Sequence, residues 1–246
     1  MRPPLPKYPP VSAPQPSFQV KPTKIGLRLS QHGVVLSEMR TSPGPTHSVF
    51  DVLAASLAVL AGDKRIGVLG FAGGGMLAPV RGLGVTGPVE AVDLERTGYE
   101  LFLQHCRAWA GTVNWRQADA VDWLRQQPAT FGALVDDLSM PLNGDVIKPA
   151  ITWDVLPELI RNRLAPGGAG IFNLLTPPGG TWNRALSRIT SLFKSAHLID
   201  LEEYENRILI AGDELPGARE FGVQLRLALR RVRSRHATRI QLRNLK

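Results

Sequence analysis

The chain of 246 residues is poor in cysteine and in long apolar runs. Cys106 is its only cysteine, which excludes an internal disulfide and a zinc site built from cysteine pairs. The longest apolar run, residues 49–61, contains Asp51 and is too short to cross a bilayer. Because the first residues contain no apolar stretch of the secretory kind, we expect a cytoplasmic protein without a transmembrane segment.

Acidic residues are scarce at one end of the chain. The net charge is +8, and residues 219–246 hold nine basic side chains against Glu220 as the one acid, so residues 1–218 are balanced. This predicts a basic appendage rather than a basic body. Such a segment favours an anionic partner, a nucleic acid or a membrane surface, with a solvated helix face or flexible tail as the plainer alternative.

Composition divides the chain into four parts. Eight prolines within residues 1–24 predict a disordered arm. Alternating apolar residues over 25–45 predict a β-hairpin, residues 46–214 form the predicted ligand-binding domain, and residues 215–246 the basic segment. Within that segment, residues 217–235 fit either an amphipathic helix or a strand.

The middle of the chain alternates short apolar runs with helix-period segments. The predicted strands lie at 66–69, 89–92, 133–135 and 170–175. The helices between them are predicted around 76–82, 97–109, 119–126 and 151–164. Runs that are apolar throughout suit strands buried on both faces, which predicts an α/β fold with a doubly wound, mostly parallel sheet. A helix at 182–193 and an antiparallel pair at 197–204 and 207–211 follow.

A glycine-rich loop, GFAGGGM, directly follows the first predicted parallel strand. Backbone without side chains lets a ligand approach closely, and the amides at a helix start favour anionic groups. Gly70-x-Ala72-x-Gly74 fits a loop that binds S-adenosylmethionine (SAM). A frame starting at Gly73 matches the dinucleotide fingerprint equally well, and a tight turn without a ligand is the third alternative.

Acidic residues follow the second strand, a presumed third strand before residue 119, and the fourth strand at 133–135. Asp93 is placed to accept the hydroxyls of a ribose, and Asp119 the amino group of an adenine beside the small Ala120. Asp136 and Asp137 close the fourth strand. Each acid alone fits a helix cap or a turn, but together they indicate one crevice for a nucleoside.

The segments HGVVLSEM, VLGFAGGGM, AVDLE, QADAVDWL, LVDDLSMP, LAPGGAGIFNLL and NRILIAGD occur in this order. Through them the chain resembles the class I SAM-dependent methyltransferase superfamily, and within it the spermidine synthase-like branch. The resemblance implies a seven-stranded Rossmann-like sheet with an N-terminal β-hairpin, a transferase activity, and SAM or its decarboxylated form as cofactor.

The resemblance also implies roles for single residues. Asp137 matches the acid that contacts the attacking amine in polyamine synthases, and we take it as the catalytic candidate. The methionine portion of the cofactor would lie on the glycine loop, the ribose at Asp93 and the adenine at Asp119. The full set of expected cofactor contacts is Gly70, Ala72, Gly73, Gly74, Asp93, Leu94, Asp119, Ala120 and Asp136.

Three substrate contacts are expected where the chain departs from the polyamine synthases. Their second acid after the fourth strand is replaced by Met140, and of their Tyr-His-Glu element only Asp51 retains an acid. Their gate glutamine has no counterpart. Trp182, after the fifth parallel strand, is the third candidate contact. A diamine needs a partner for each of its two charges once they are removed from water. The loss of these polar groups therefore counts against a diamine substrate.

The sequence therefore leaves several functions open. The first is a SAM-dependent methyltransferase with an unknown acceptor, and the second an aminopropyltransferase using decarboxylated SAM. The third is a non-catalytic SAM-fold module that docks through its basic end, and an NAD enzyme is a minor fourth. His32 and His47 are alternative bases near the expected substrate entrance. The oligomeric state stays open, with a homodimer among the alternatives.

Overall fold

A computed structural model describes residues 18–246 except 32, 143, 144, 178 and 180. Its first element is an antiparallel sheet of three strands, β1 (Gln19–Thr23), β2 (Gly26–Gln31) and β3 (Val34–Arg40). The predicted hairpin is thus present, but β1 lies within the predicted disordered arm. Pro22 fits there because β1 is an edge strand, where a proline is tolerated. Residues 1–17 of the arm lie outside the described residues.

The α/β part begins with α1, which runs from Val49 to Leu60. Ser48 is its N-cap, with the Ser48 hydroxyl accepting a hydrogen bond from Phe50 N at 3.4 Å. The elements that follow as far as the third parallel strand are β4 (Ile66–Leu69), α2 (Leu77–Gly82), β5 (Val89–Asp93), α3 (Thr97–Ala110) and β6 (Val113–Gln117).

The second half of the parallel sheet carries an addition that the sequence did not predict. The elements are α4 (Ala120–Gln126), β7 (Phe131–Asp136), β8 (Met140–Leu142), β9 (Asp145–Ile147), α5 (Leu156–Asn162) and β10 (Leu164–Leu174). The small antiparallel pair β8–β9 is the addition. The helix predicted over 151–164 is shorter because Pro157 is accepted only in the first turn of a helix.

The chain ends with α6 (Trp182–Thr190), β11 (Ser195–Leu201), β12 (Arg207–Gly212), α7 (Ala218–Arg231) and β13 (Ile240–Asn244). The central sheet has the order β13-β11-β12-β10-β7-β4-β5-β6, and its strands from β10 to β6 are parallel. The predicted α/β class and doubly wound sheet are confirmed. The sheet has eight strands rather than seven because β13 pairs with β11.

The basic segment is part of the body, so the prediction of an appendage is wrong. The helix interpretation of residues 217–235 is confirmed by α7, whose Phe221, Leu225 and Leu229 are fully buried in the core. In β13, Ile240 is buried while its neighbours along the strand face outward. The alternating apolar positions between the arginines therefore carry the packing, and the charge is confined to the surface.

The sheet separates two apolar layers. One contains side chains from α1, α2, α3 and α7, and the other contains side chains from α4, α5 and α6. Strand order reverses between β4 and β7, since β5 and β6 lie on one side and β10 on the other. In such sheets ligands bind at the carboxyl ends of the strands beside this reversal. None of the described helices has the length and apolar composition that crossing a membrane requires.

Candidate functional site

The glycine-rich loop between β4 and α2 is anchored by one inward-pointing side chain. Phe71 is only 3% exposed and packs edge-on against Phe102 at 5.1 Å and Tyr99 at 6.0 Å between ring centroids. Its neighbours Gly70 and Ala72 are half-buried, so they form the accessible side of the loop. This alternation fits the frame that starts at Gly70.

Gly70 sits where no other residue fits. Its φ of +84° is left-handed, and a Cβ atom there would lie 2.7 Å from the carbonyl oxygen of Asp137. The same two strand ends are joined by a hydrogen bond of 2.9 Å from Asp137 N to Leu69 O. The loop and the acid that follows β7 are therefore in direct contact, as the sequence predicted.

Asp93 binds the other exposed residue of the loop. Its Oδ2 accepts a hydrogen bond of 2.7 Å from Ala72 N, and its Oδ1 accepts one of 3.1 Å from Glu95 N. Ala72 has a left-handed φ of +44°, a conformation that costs energy for a residue with a Cβ and often occurs at binding sites. Burial raises the pKa of Asp93, and these backbone donors oppose the rise.

The later glycines of the loop pack against protein. Gly73, Gly74 and Gly75 are buried, and a Cβ on Gly73 would lie 3.1 Å from the Met39 sulfur. The Ser37 hydroxyl accepts a hydrogen bond of 2.8 Å from Gly75 N. The N-terminal sheet and the Phe71 ring thus occupy the sides on which Gly73 and Gly74 would carry a Cβ, so only their backbone could contact a cofactor, and that role stays a prediction.

The residues expected around the adenosine differ in how far they are exposed. Asp119 caps α4, its Oδ1 accepting from Val121 N at 2.9 Å and from Asp122 N at 3.1 Å. It adjoins Asp93 through the bond from Ala118 N to Asp93 O, 3.0 Å. Leu94 is 48% exposed beside them. Ala120, the first residue of α4, has its side chain buried in the core, so its expected contact stays a prediction for its backbone alone.

Asp136 and Asp137 point in opposite directions. Asp136 is fully buried and pairs with Lys148, whose Nζ lies 3.1 Å from Asp136 Oδ1. The Asp136 side chain also accepts from Leu138 N at 3.0 Å. The expectation that Asp136 binds cofactor is wrong, because consecutive strand residues face opposite sides and this one faces the protein interior.

Asp137 is half-buried and held by a chain of amides. Asn173 Nδ2 donates to Asp137 Oδ1 at 2.7 Å, and Asn206 Nδ2 donates to Asn173 Oδ1 at 2.9 Å. Burial raises the pKa of Asp137 to about 6, against the opposing effects of Lys148 and of the Asn173 hydrogen bond. The nearby carboxylates of Asp136 and Asp93 raise this pKa further.

A cleft of about 410 Å³ opens next to this chain. Its lining residues are Thr176, Trp182, Asp200, Leu201, Tyr204, Glu205, Asn206 and Arg207. Arg207 lies 4.2 Å over the Trp182 ring and pairs with Asp200 at 3.2 Å. Glu205 is exposed, with no hydrogen bond or ion pair to a described residue. Asn206 connects this cleft to Asp137.

Two of the three expected substrate contacts, Trp182 and Met140, are half-buried. Trp182 lines the cleft, as the sequence predicted for the loop after the fifth parallel strand. Met140 is half-buried at the start of β8. Neither position involves a described contact with Asp137, so their roles stay predictions.

Asp51 is not available to a substrate. It is fully buried and accepts hydrogen bonds from Thr46 N at 2.7 Å and from His47 N at 3.0 Å. His47 is exposed with φ +58°, its carbonyl accepting from the Tyr204 hydroxyl at 3.2 Å. Asp51 therefore braces the turn before α1, and the expected substrate role is wrong. His32 lies outside the described residues.

Several residues of the site escaped sequence reasoning. Asn173 is a polar residue inside an otherwise apolar strand, which was a readable signal for a functional or paired group. Lys148, Tyr204 and Asn206 carried no such signal, because their partners are distant in the chain. Among the described residues no cluster of three or more His, Cys, Asp or Glu side chains could hold a metal ion.

Comparison with known proteins agrees with this architecture. No family model matches the chain, and no curated protein matches it in sequence. Among solved structures, human methyltransferase-like protein 13 in complex with SAH is similar with a TM-score of 0.63 and 17% identity, covering 76% of this chain and 92% of that one.

Spermidine synthases give similar values. The enzyme from Thermotoga maritima aligns with a TM-score of 0.62 and 12% identity, over 81% of this chain and 70% of that chain. A spermidine synthase in complex with the transition-state analogue AdoDATO gives 0.63 and 12%, over 81% and 71%. The expected fold is thereby confirmed: this chain shares its fold with a methyltransferase-like protein and with spermidine synthases.

Proposed function

We propose that the chain is a SAM-dependent methyltransferase whose acceptor remains to be identified. The observation that carries this is the contact between Ala72 N and Asp93 Oδ2 at the strand reversal, beside the accessible Gly70. Asp93 is half-buried, and we expect the accessible part of its carboxylate to accept the hydroxyls of a ribose beside these backbone donors.

The remaining groups fit the other parts of SAM. The accessible backbone of Gly70 and Ala72 would face the methionine portion, and the exposed Leu94 offers an apolar surface to the adenine ring. Asp119, at the start of α4, would face the amino group of the adenine. When bound, the cofactor supplies an electrophilic methyl group on its sulfonium, so the protein contributes mainly alignment.

Asp137 would act on the acceptor. With a pKa of about 6 its carboxylate is charged at neutral pH and more basic than an ordinary aspartate. It can accept a hydrogen bond from the acceptor and take its proton as the new bond forms. Asn173 holds one carboxylate oxygen, which leaves the other for the acceptor in the adjoining cleft.

An aminopropyl transfer from decarboxylated SAM is the second candidate. The observation that favours it is the unpaired Glu205 in the cleft, which with Asp137 gives two carboxylates for the two charges of a diamine. Met140 in place of a second acid after β7 counts against it. The structural likeness to both spermidine synthases and a methyltransferase-like protein supports each candidate equally.

Isothermal titration calorimetry with SAM and with decarboxylated SAM separates the candidates. Tighter binding of SAM is expected, and tighter binding of the decarboxylated form would favour aminopropyl transfer. If neither binds at millimolar concentration, the proposal fails and a non-catalytic module is favoured. An NADH fluorescence titration serves as the control, since saturable binding there would assign the glycine loop to a dinucleotide.

A further inference from the structure

Most basic side chains of residues 219–246 have partners within the fold. Arg235 lies 2.9 Å from Glu203, Arg239 pairs with the same carboxylate, and Arg243 lies 3.3 Å from Asp200. Backbone carbonyls accept hydrogen bonds from two more, Arg226 and Lys246. This part of the charge stabilises the fold and is not available to a partner.

Four arginines differ from these. Arg219, Arg230, Arg231 and Arg233 are exposed, and their side chains make no hydrogen bond or ion pair with any described residue. Three of them lie on α7, and Arg233 follows directly after it. Burying a guanidinium without a partner is costly, so a surface that meets these four must supply anionic groups.

Two aliphatic side chains lie between the arginines. Val223 and Leu227 are 54% and 56% exposed, the two highest values among the exposed large apolar side chains of the described residues. Residues four apart are neighbours on a helix, so Arg219, Val223, Leu227 and Arg231 form one row along the outer side of α7. We call Arg219, Val223, Leu227, Arg230, Arg231 and Arg233 the arginine row.

The arginine row is presented on a rigid support. The opposite side of α7 is buried through Phe221, Leu225 and Leu229, so the helix does not have to fold on contact with a partner. Glu220 is the one acid in α7, and its Oε1 accepts from Gln224 Nε2 at 3.1 Å. The outer side of α7 therefore carries Arg219, Arg230 and Arg231 against the single acid Glu220, with Val223 and Leu227 exposed among them.

We propose that the arginine row docks this protein on an anionic phospholipid bilayer. Guanidinium groups bind lipid phosphates, and the aliphatic side chains between them can enter the boundary between head groups and acyl chains. A nucleic acid would satisfy the arginines but leave Val223 and Leu227 against a charged phosphate backbone. The apolar centre of the row thus favours lipid.

Vesicle co-sedimentation of the full chain tests the proposal. Binding is expected to vesicles of phosphatidylcholine that contain about 30 mol% phosphatidylglycerol, because their surface is negatively charged. No binding is expected to vesicles of phosphatidylcholine alone. Arg230→Gln with Arg231→Gln should weaken binding about thirtyfold, at about 1 kcal/mol per arginine. Val223→Ser with Leu227→Ser should weaken it about tenfold through lost apolar burial.

A matched pair controls for net charge. Arg107 and Arg184 are also exposed and without a described partner, but they lie on α3 and α6. Arg107→Gln with Arg184→Gln should leave vesicle binding within about twofold, because only distant charges change. Circular dichroism and the melting temperature check that each variant is folded.

Three results would overturn the proposal. One is the absence of binding to phosphatidylglycerol vesicles, and another is an equal loss in the control pair, which would indicate net charge alone. The third is tight binding of a fluorescent 20-nucleotide DNA that the Val223→Ser, Leu227→Ser variant retains, which would assign the surface to nucleic acid. Failure here leaves the cofactor titrations of the proposed methyltransferase untouched.

Discussion

Asn173 Nδ2 donates to Asp137 Oδ1 at 2.7 Å, and this bond orients the site acid whose pKa burial raises to about 6. The Asn173 amide is itself oriented by Asn206 at 2.9 Å. Because the donor is neutral, it fixes the carboxylate without lowering its basicity as strongly as a cation would.

Asp137→Asn should lower turnover by about 100-fold or more while SAM affinity stays within about twofold, because the acid acts on the acceptor. Turnover of the unaltered protein should fall as pH drops below about 6, where the carboxylate takes up its proton. Rate measurements from pH 5 to 8 with a screened acceptor check this. A variant at full rate would remove Asp137 from the chemistry.

The same substitution should stabilise the fold at alkaline pH. A raised pKa in the folded state means that the carboxyl group favours folding below its unfolded value near 4, and that this contribution is lost as pH rises through about 6. Asp137→Asn should therefore gain about 1–3 kcal/mol at pH 8 and little at pH 4. Urea unfolding at both values checks it, with Asp63→Asn as an exposed control.

Asp93→Asn should weaken SAM binding by about 1–3 kcal/mol, since a charge-assisted bond to the ribose is lost while one amide oxygen remains for Ala72 N. Calorimetry measures the affinity. Asp63→Asn, in an exposed turn, should leave it unchanged. Equal affinities for the Asp93 variant and the unaltered protein would contradict the ribose assignment.

Lys148→Met should destabilise the fold by about 3–5 kcal/mol, because it leaves the Asp136 carboxylate buried without its counter-charge. Adding Asp136→Leu should recover much of that loss. Arg161→Met, which removes an exposed pair with Asp213, should cost under about 1 kcal/mol. Strictly additive losses in the double variant would show that the buried pair is not coupled.

Ser37→Ala should lower the free energy of unfolding by about 1–3 kcal/mol and also weaken SAM binding, because the buried Gly75 N loses its acceptor. Ser42→Ala, on the exposed turn after β3, is the matched control. Thermal melts and calorimetry report the two effects. A loss of stability with unchanged affinity would separate the N-terminal sheet from the glycine loop.

The sequence predicts β4, β5, β7 and β10 from their short apolar runs, and β4 lies at the predicted residues. It gives no bounds for β6, whose residues VNWRQ are mostly polar and largely exposed. It also predicts that the acids after the strands meet at one crevice, since parallel strand ends share one edge. It failed for β13, where Arg243 and its neighbours masked the alternation of Ile240 and Leu242. The positive charge of this segment hides the periodicity that β13 follows.

The inner parts of the site were less accessible to prediction. Local patterns identify which acids follow strands, but only the tertiary structure shows that Lys148 returns to Asp136 or that Asp51 is used by Thr46 and His47. Ala120 and Gly73 are expected as cofactor contacts because they adjoin other site residues in sequence. Proximity in sequence does not distinguish the inner side of a turn, where both residues lie buried, from its outer side. Burial decides that question.

The opposed directions of Asp136 and Asp137 make the end of β7 sensitive to chain length. A strand places consecutive residues on opposite sides, so deleting one residue in β7 would bring Asp137 to the buried position beside Lys148 and Leu138 to the position of Asp137. Inserting one residue would instead bring Asp136 to the crevice and a residue other than aspartate to Lys148, so either change leaves one of the two positions without its carboxylate. Evolution can vary the side chains of this strand far more readily than it can add or remove a codon there.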